Sequence, residues 1–119
     1  MSQLDRVGLS EFAHRPVSGF SRGMAQRLSL ARALLPNPSV LLLDEPFTGL
    51  DQAGIAQAEA LILEQRAKGA VIILSSHDLS VTERLCDRVL ILRRGRCVFY
   101  GELKINEFGL KEQYHRSIG

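Results

Sequence analysis

At 119 residues, 45% apolar and 24% charged, the chain is long enough for one globular domain with a real core and is ordinary in composition. Its net charge of +2, with Lys and Arg scattered along the chain, is too small to argue for nucleic acid. The apolar runs Val40–Leu43, Val71–Leu74 and Val89–Leu92 are four residues each, where a membrane-spanning helix needs about 20. Asp5, Arg6, Glu11, His14 and Arg15 leave no continuous apolar stretch for a signal peptide.

In chain order, Leu4 to His14 reads as a short helix with Leu4, Val7 and Phe12 available for packing, and Pro16-Val17-Ser18-Gly19 reads as a loop. Arg22 to Leu35 is the next helix. Its Met24, Leu28, Ala31 and Leu35 are spaced for one apolar face, and Pro36 and Pro38 end it. Val40–Leu43 is apolar at every position rather than alternating, which predicts a strand covered on both faces, as in a parallel sheet between helices. Gln52–Lys68 predicts a helix with Ile55, Ala58 and Ile62 on one side and Gly69 as a left-handed cap. Val71–Leu74 is a second buried strand and Leu79–Leu85 a short helix. Val89–Leu92 and Val98–Tyr100 form a hairpin, its solvated turn carrying Arg93, Arg94 and Arg96 around Gly95. Residues 102–119 make a polar, weakly helical tail. Cys86 and Cys97 match no metal or redox spacing and read as reduced thiols of a cytosolic protein, partly or wholly buried.

Strands alternating with helices give an α/β layered domain. Two apolar strands make a thin sheet, however, and a strand like Val40–Leu43 wants neighbours on both edges. The pattern predicts part of a larger domain, or a chain completed by a partner.

The chemistry-bearing residues cluster at element ends. Asp44-Glu45 follow an apolar strand directly, at the end of an open α/β sheet where ligands bind. Such a pair can divide two tasks, one carboxylate holding Mg²⁺ and the other orienting or deprotonating an attacking water; a charged loop after a buried strand is the plain alternative. Ser21 stands where a helix begins and can serve simply as its N-cap. The same hydroxyl, with Gly23 allowing close backbone approach and Arg22 adding charge, also suits a phosphate at a helix N-terminus. Asp51 caps the Gln52–Lys68 helix. His77 follows Ser75-Ser76 at the end of the second apolar strand, placed to sense a terminal phosphate, whereas His14 and His115 read as surface residues.

These motifs together resemble the C-terminal half of an ATP-binding cassette (ABC) ATPase, the motor subunit of ABC transporters. Phe20–Arg27 resembles the ABC signature with its following Gln26-Arg27 pair, Val40–Glu45 the Walker B strand, Thr48–Asp51 the D-loop, and Ser75–Asp78 the switch-histidine loop. Glu83–Val89 resembles the segment these ATPases place before their last core strands. The likeness covers roughly Leu4 to Gly101, as a partial P-loop NTPase-like fold, with residues 102–119 as the tail. The resemblance implies ATP and Mg²⁺ as cofactors, Glu45 and His77 as catalytic, Asp44 as the metal residue, and Ser21, Arg22, Gly23, Gln26 and Asp51 as nucleotide-binding. It also implies a head-to-tail partner ATPase subunit, membrane permease subunits, no nucleic acid, and a cytoplasmic site on the inner face of the cell membrane.

The signature departs from the usual Leu-Ser-Gly-Gly-Gln at Phe20, Arg22 and Met24. Ser-Arg-Gly-Met resembles a subgroup of exporter ATPases that includes the haem exporter of cytochrome c maturation. The glycine-rich phosphate loop ending in Gly-Lys-Ser/Thr occurs nowhere in the chain, nor do the upstream adenine-stacking aromatic and glutamine loop of the family. Two other readings stand beside the transporter: a non-transport ABC ATPase acting on nucleic acid or ribosomes, and a binding fragment without catalysis.

Overall fold

The Pro-Asn-Pro stop at 36–38 is where the first unit of the fold is tied together. Gln65, 2% exposed in the last turn of a helix, donates both hydrogens of its amide to this stop, one to Asn37 Oδ1 at 3.0 Å and one to the Pro38 carbonyl at 2.9 Å. Asn37 adopts a left-handed φ of 50°, which Asn tolerates better than most residues. The helix that precedes the stop is thereby anchored to the helix that follows the next strand. Nothing in the sequence pattern marks Gln65 for this role, because one Gln on a helix reads as solvent-facing.

The computed structural model describes residues 3–103 and 109–118; positions 104–108 and 119 of the expected tail lie outside them. The chain divides into two compact units, residues 1–76 and 77–119. The first runs α1 (Gln3–Arg6), α2 (Arg22–Leu34), β1 (Val40–Asp44), α3 (Gln52–Ala67) and β2 (Val71–Ser75). Strands β1 and β2 pair in parallel, Val40 opposite Val71 through Asp44 opposite Ser75, with α3 as the crossover that a parallel pair requires. The architecture is α/β, as expected.

Several local expectations hold for physical reasons that were visible. Ser21 caps α2 by accepting from the Met24 amide at 3.1 Å, Asp51 caps α3 by accepting from the Gly54 amide at 2.8 Å, and Gly69 ends α3 with φ +95°. Others do not hold. The expected first helix is one short α-turn followed by a 3-10 turn at Ser10–Phe12, with Val7 and Leu9 buried and Phe12 half-buried. The buried stripe of α2 is Leu30, Ala31 and Leu34, and Leu35 is exposed because the helix ends one residue before it.

The largest departure concerns β1. Leu41 is buried at 3% exposure, but Val40 and Leu42 are 55% and 68% exposed, as are Val71 and Ile73 on β2 at 57% and 59%. One face of the parallel pair is turned inward; the other is bare apolar surface. The all-apolar strand encodes two covered faces, and among the described residues only one receives cover. Each of these half-exposed Val, Leu or Ile residues forgoes about 1–2 kcal/mol of possible burial.

The second unit comprises α4 (Leu79–Leu85), β3 (Arg88–Arg93), β4 (Arg96–Glu102) and α5 (Leu110–Ile118). Strands β3 and β4 form the expected antiparallel hairpin, closed by Arg94 and Gly95 at φ 50° and 75°. Positive φ at both turn residues matches the strand twist. The tail is more than polar coil. Helix α5 begins at Leu110, 1% exposed, and Val89, Ile91 and Leu110 form a core with Phe99, Tyr114 and Ile118 packed against it. Glu83 of α4 accepts the Leu110 amide at 3.1 Å. Cys86 is half-buried and Cys97 exposed, so the expected burial fails at Cys97; both are free thiols. No helix among the described residues is long and apolar enough to cross a membrane.

Replacing Gln65 by Leu strips the Asn37 and Pro38 oxygens of their buried donor and is expected to destabilise the protein by about 1–3 kcal/mol, read as a lowered urea midpoint with an unchanged m-value.

Candidate functional site

Strand β1 delivers Asp44 to its C-terminal end opposite Ser75, and the chain then leaves the sheet in two successive turns. The Glu45 carbonyl accepts from the Thr48 amide at 3.3 Å, and the Phe47 carbonyl from the Leu50 amide at 3.2 Å. Pro46 sits second in the first turn, where its fixed φ is favoured, and Gly49, third in the second turn, has φ +81°. Pro46 and Phe47 are buried. This double turn ends on Asp51, the cap of α3.

Ser75 joins the two carboxylate positions. Its hydroxyl donates to Asp44 Oδ1 at 2.5 Å and accepts from the Glu45 amide at 3.0 Å. The Ser75 carbonyl also receives that amide, at 3.1 Å. Glu45 itself has φ +49°, uncommon for a residue that is neither Gly nor Asn. Such a conformation costs on the order of 1–3 kcal/mol and persists only where its surroundings over-determine it. Ser75 was not singled out as a site residue by its type. Its position in register with Asp44, at the polar end of a second apolar strand, is the signal that could have found it.

Helix α2 reaches this segment from the other side. Gln26, expected at the nucleotide, donates its side-chain amide to the Glu45 carbonyl at 3.0 Å. A Cβ built on Gly23 would lie 3.1 Å from the Gly49 carbonyl oxygen, and one on Gly49 would lie 3.1 Å from the Arg22 stem. The two glycines therefore let α2 and the double turn approach closely. Arg27 Nη2, on a half-buried side chain, lies 3.7 Å from Oδ1 of the exposed Asp51, a loose pairing worth about 0.2–1 kcal/mol at most. The Asp51 cap bond is the firmer contact. Ser21 is exposed, and the Arg22 and Gly23 amides beside it precede the first intrahelical bonds, leaving donors at the positive end of the helix.

The first unit thus brings together Ser21, Arg22, Gly23, Gln26, Asp44, Glu45 and Asp51. His77 opens the second unit, exposed and next to Asp78. The Asp78 carboxylate caps α4 by accepting the Ser80 and Val81 amides at 3.0 and 3.1 Å. His14 and His115 are exposed.

Asp44 is exposed. An open depression of about 310 Å³ is lined by Leu42, Leu43, Asp44, Ile73, Leu74 and Ser75. Among the described residues no three His, Cys, Asp or Glu side chains gather in one place, so a cation needing an all-protein cage does not fit. Mg²⁺ takes one or two carboxylates and completes its shell with water and phosphate oxygens, and a solvent-facing Asp44 fits that demand.

Residues 2–48 match the ABC transporter family model. Over 101 residues the chain is 38% identical to an uncharacterised ABC transporter ATP-binding protein of Methanocaldococcus jannaschii, covering 85% of this chain and 38% of that protein. It is 41% identical over 98 residues to a fluoroquinolones export ATP-binding protein of Mycobacterium tuberculosis, covering 82% of this chain and 33% of the relative. A lantibiotic transport ATP-binding protein of Streptococcus pyogenes is 38% identical over 115 residues, covering 97% and 50%. A solved ATP-binding subunit of an ABC transporter superposes with a TM-score of 0.90 at 34% identity, across 98% of this chain and 52% of that one. The chain spans about a third to a half of the length of these proteins, and over that span it belongs to the ABC transporter ATP-binding protein family.

Proposed function

We propose that this chain is part of the ATP-hydrolysing subunit of an ABC transporter, supplying the water-activating carboxylate and the signature face of the site. The observation that carries this reading is Asp44-Glu45 at the C-terminal end of β1. Both are tied to Ser75 of the neighbouring strand, and Glu45 is held in a conformation that ordinary loop residues avoid.

In this reading Glu45 accepts a proton from, or polarises, the water that attacks the terminal phosphate, and Asp44 holds Mg²⁺ through a water molecule. The bound cation would neutralise charge on the phosphate oxygens. His77 contacts the γ-phosphate. Ser21, Arg22 and Gly23 present a hydroxyl, a positive charge and backbone donors to the ATP of a second subunit arranged head to tail, and Asp51 sits at that interface. Membrane permease subunits select the cargo, and the assembly lies on the inner face of the cell membrane. The narrower reading, haem export for cytochrome c maturation, is supported by Ser21-Arg22-Gly23-Met24 alone; two of the relatives named above carry other cargo in their names.

In a full-length subunit containing this sequence, Glu45→Gln is expected to trap an ATP-bound dimer with hydrolysis reduced by about 10²-fold or more, measured by phosphate release and size-exclusion chromatography. Wild-type turnover in that variant would remove Glu45 from the mechanism. The 119 residues alone, having no glycine-rich loop to cradle the β- and γ-phosphates, are expected to hydrolyse ATP no faster than a buffer control. Robust Mg²⁺-dependent turnover by them would contradict the division of labour proposed here.

A further inference from the structure

We infer that Gln26 is a positioning residue that sets the Glu45 backbone, an inference that rests on reading Glu45 as the carboxylate that activates water. The left-handed peptide at Glu45 is restrained on both sides. Its amide is held by Ser75 of β2, and its carbonyl accepts from Thr48 within the turn and from Gln26 of α2. Thr48 belongs to the turn itself, whereas Gln26 comes from another element and is part-buried. The Thr48 bond is the local i→i+3 closure of the turn; the Gln26 bond exists only while α2 stays in register with the turn.

That register is fixed where α2 begins. Gly23 lies against the Gly49 carbonyl in the first turn of the helix, and Gln26 meets Glu45 in the next. The first two turns of α2 and the segment from Glu45 to Gly49 are therefore joined at two points. A shift of the Ser21–Gly23 end, of the kind an anion seated on its free amides would produce, is transmitted to the Glu45 carbonyl through the Gln26 amide. Gln26 thus couples the end of α2 that meets phosphate to the orientation of the carboxylate on the same chain.

The test uses the full-length subunit with ATP and Mg²⁺. Gln26→Glu keeps the side-chain volume but sets an acceptor against the Glu45 carbonyl. It is expected to lower kcat by about 10²-fold, the scale on which a 1 Å misplacement acts, with KM for ATP unchanged. Gln26→Lys, which restores a donor, is expected to recover much of that loss. In the Glu45→Gln background Gln26→Glu should cost nothing further, because the two act as one unit. Unchanged kcat in folded Gln26→Glu, or a loss that adds fully to that of Glu45→Gln, would overturn the inference. If these variants do not fold, the wild-type protein decides: a through-hydrogen-bond NMR coupling between Gln26 Nε2 and the Glu45 carbonyl carbon is required, and its absence counts against the role. Full activity in Glu45→Gln would instead sink the parent reading, whatever the Gln26 variants do.

Discussion

The site depends on one strained peptide. Glu45 is held at φ +49° against a cost on the order of 1–3 kcal/mol, and three elements share the restraint: β1 carries it, β2 holds its amide through Ser75, and α2 holds its carbonyl through Gln26. Each net hydrogen bond is worth about 0.5–1.5 kcal/mol, so the bonds around this residue are together of the size needed to offset the strain. The consequence is directional. A right-handed Glu45 would send the chain elsewhere, and neither the double turn to Asp51 nor the close approach of Gly23 and Gly49 would form.

The same unit is unfinished in another respect. A parallel pair with one bare face, four exposed aliphatic side chains and no further strand paired to it among the described residues is an unusual resting state, because parallel sheets are ordinarily covered on both sides. The hairpin of the second unit repeats the feature, with Leu90, Leu92 and Tyr100 exposed opposite its packed face. Both observations agree with a chain that spans a third to a half of its relatives' length. They also agree with a sequence in which no glycine-rich loop ending in Gly-Lys-Ser/Thr occurs.

How much of this was legible beforehand depended on whether the signal was local. Pro36 and Pro38, the Asp51 cap, Gly69 and the Arg94-Gly95 turn act within a few residues of themselves, and the elements they delimit appear where the sequence puts them. The α/β order and the position of Asp44-Glu45 at a strand end were readable for the same reason. The bare face of β1 was not, because apolar residues at every position say that cover is wanted without saying whether it is supplied. Leu35 was assigned to a buried stripe by spacing alone, which ignores where the helix stops. Gln26, Ser75 and Gln65 act on oxygens or amides between 19 and 31 residues away in sequence, and no periodicity encodes such a pairing.

The central claim is that the ends of β1 and β2 form a pre-set acidic site for a magnesium nucleotide. A crystal structure of the full-length subunit with Mg²⁺ and a non-hydrolysable ATP analogue tests it most directly. The account predicts the cation reached by Asp44 through water, with Glu45 still at positive φ beneath the Gln26 amide. A nucleotide bound away from both strand ends, or Glu45 relaxed to a right-handed conformation with Gln26 released, would contradict it.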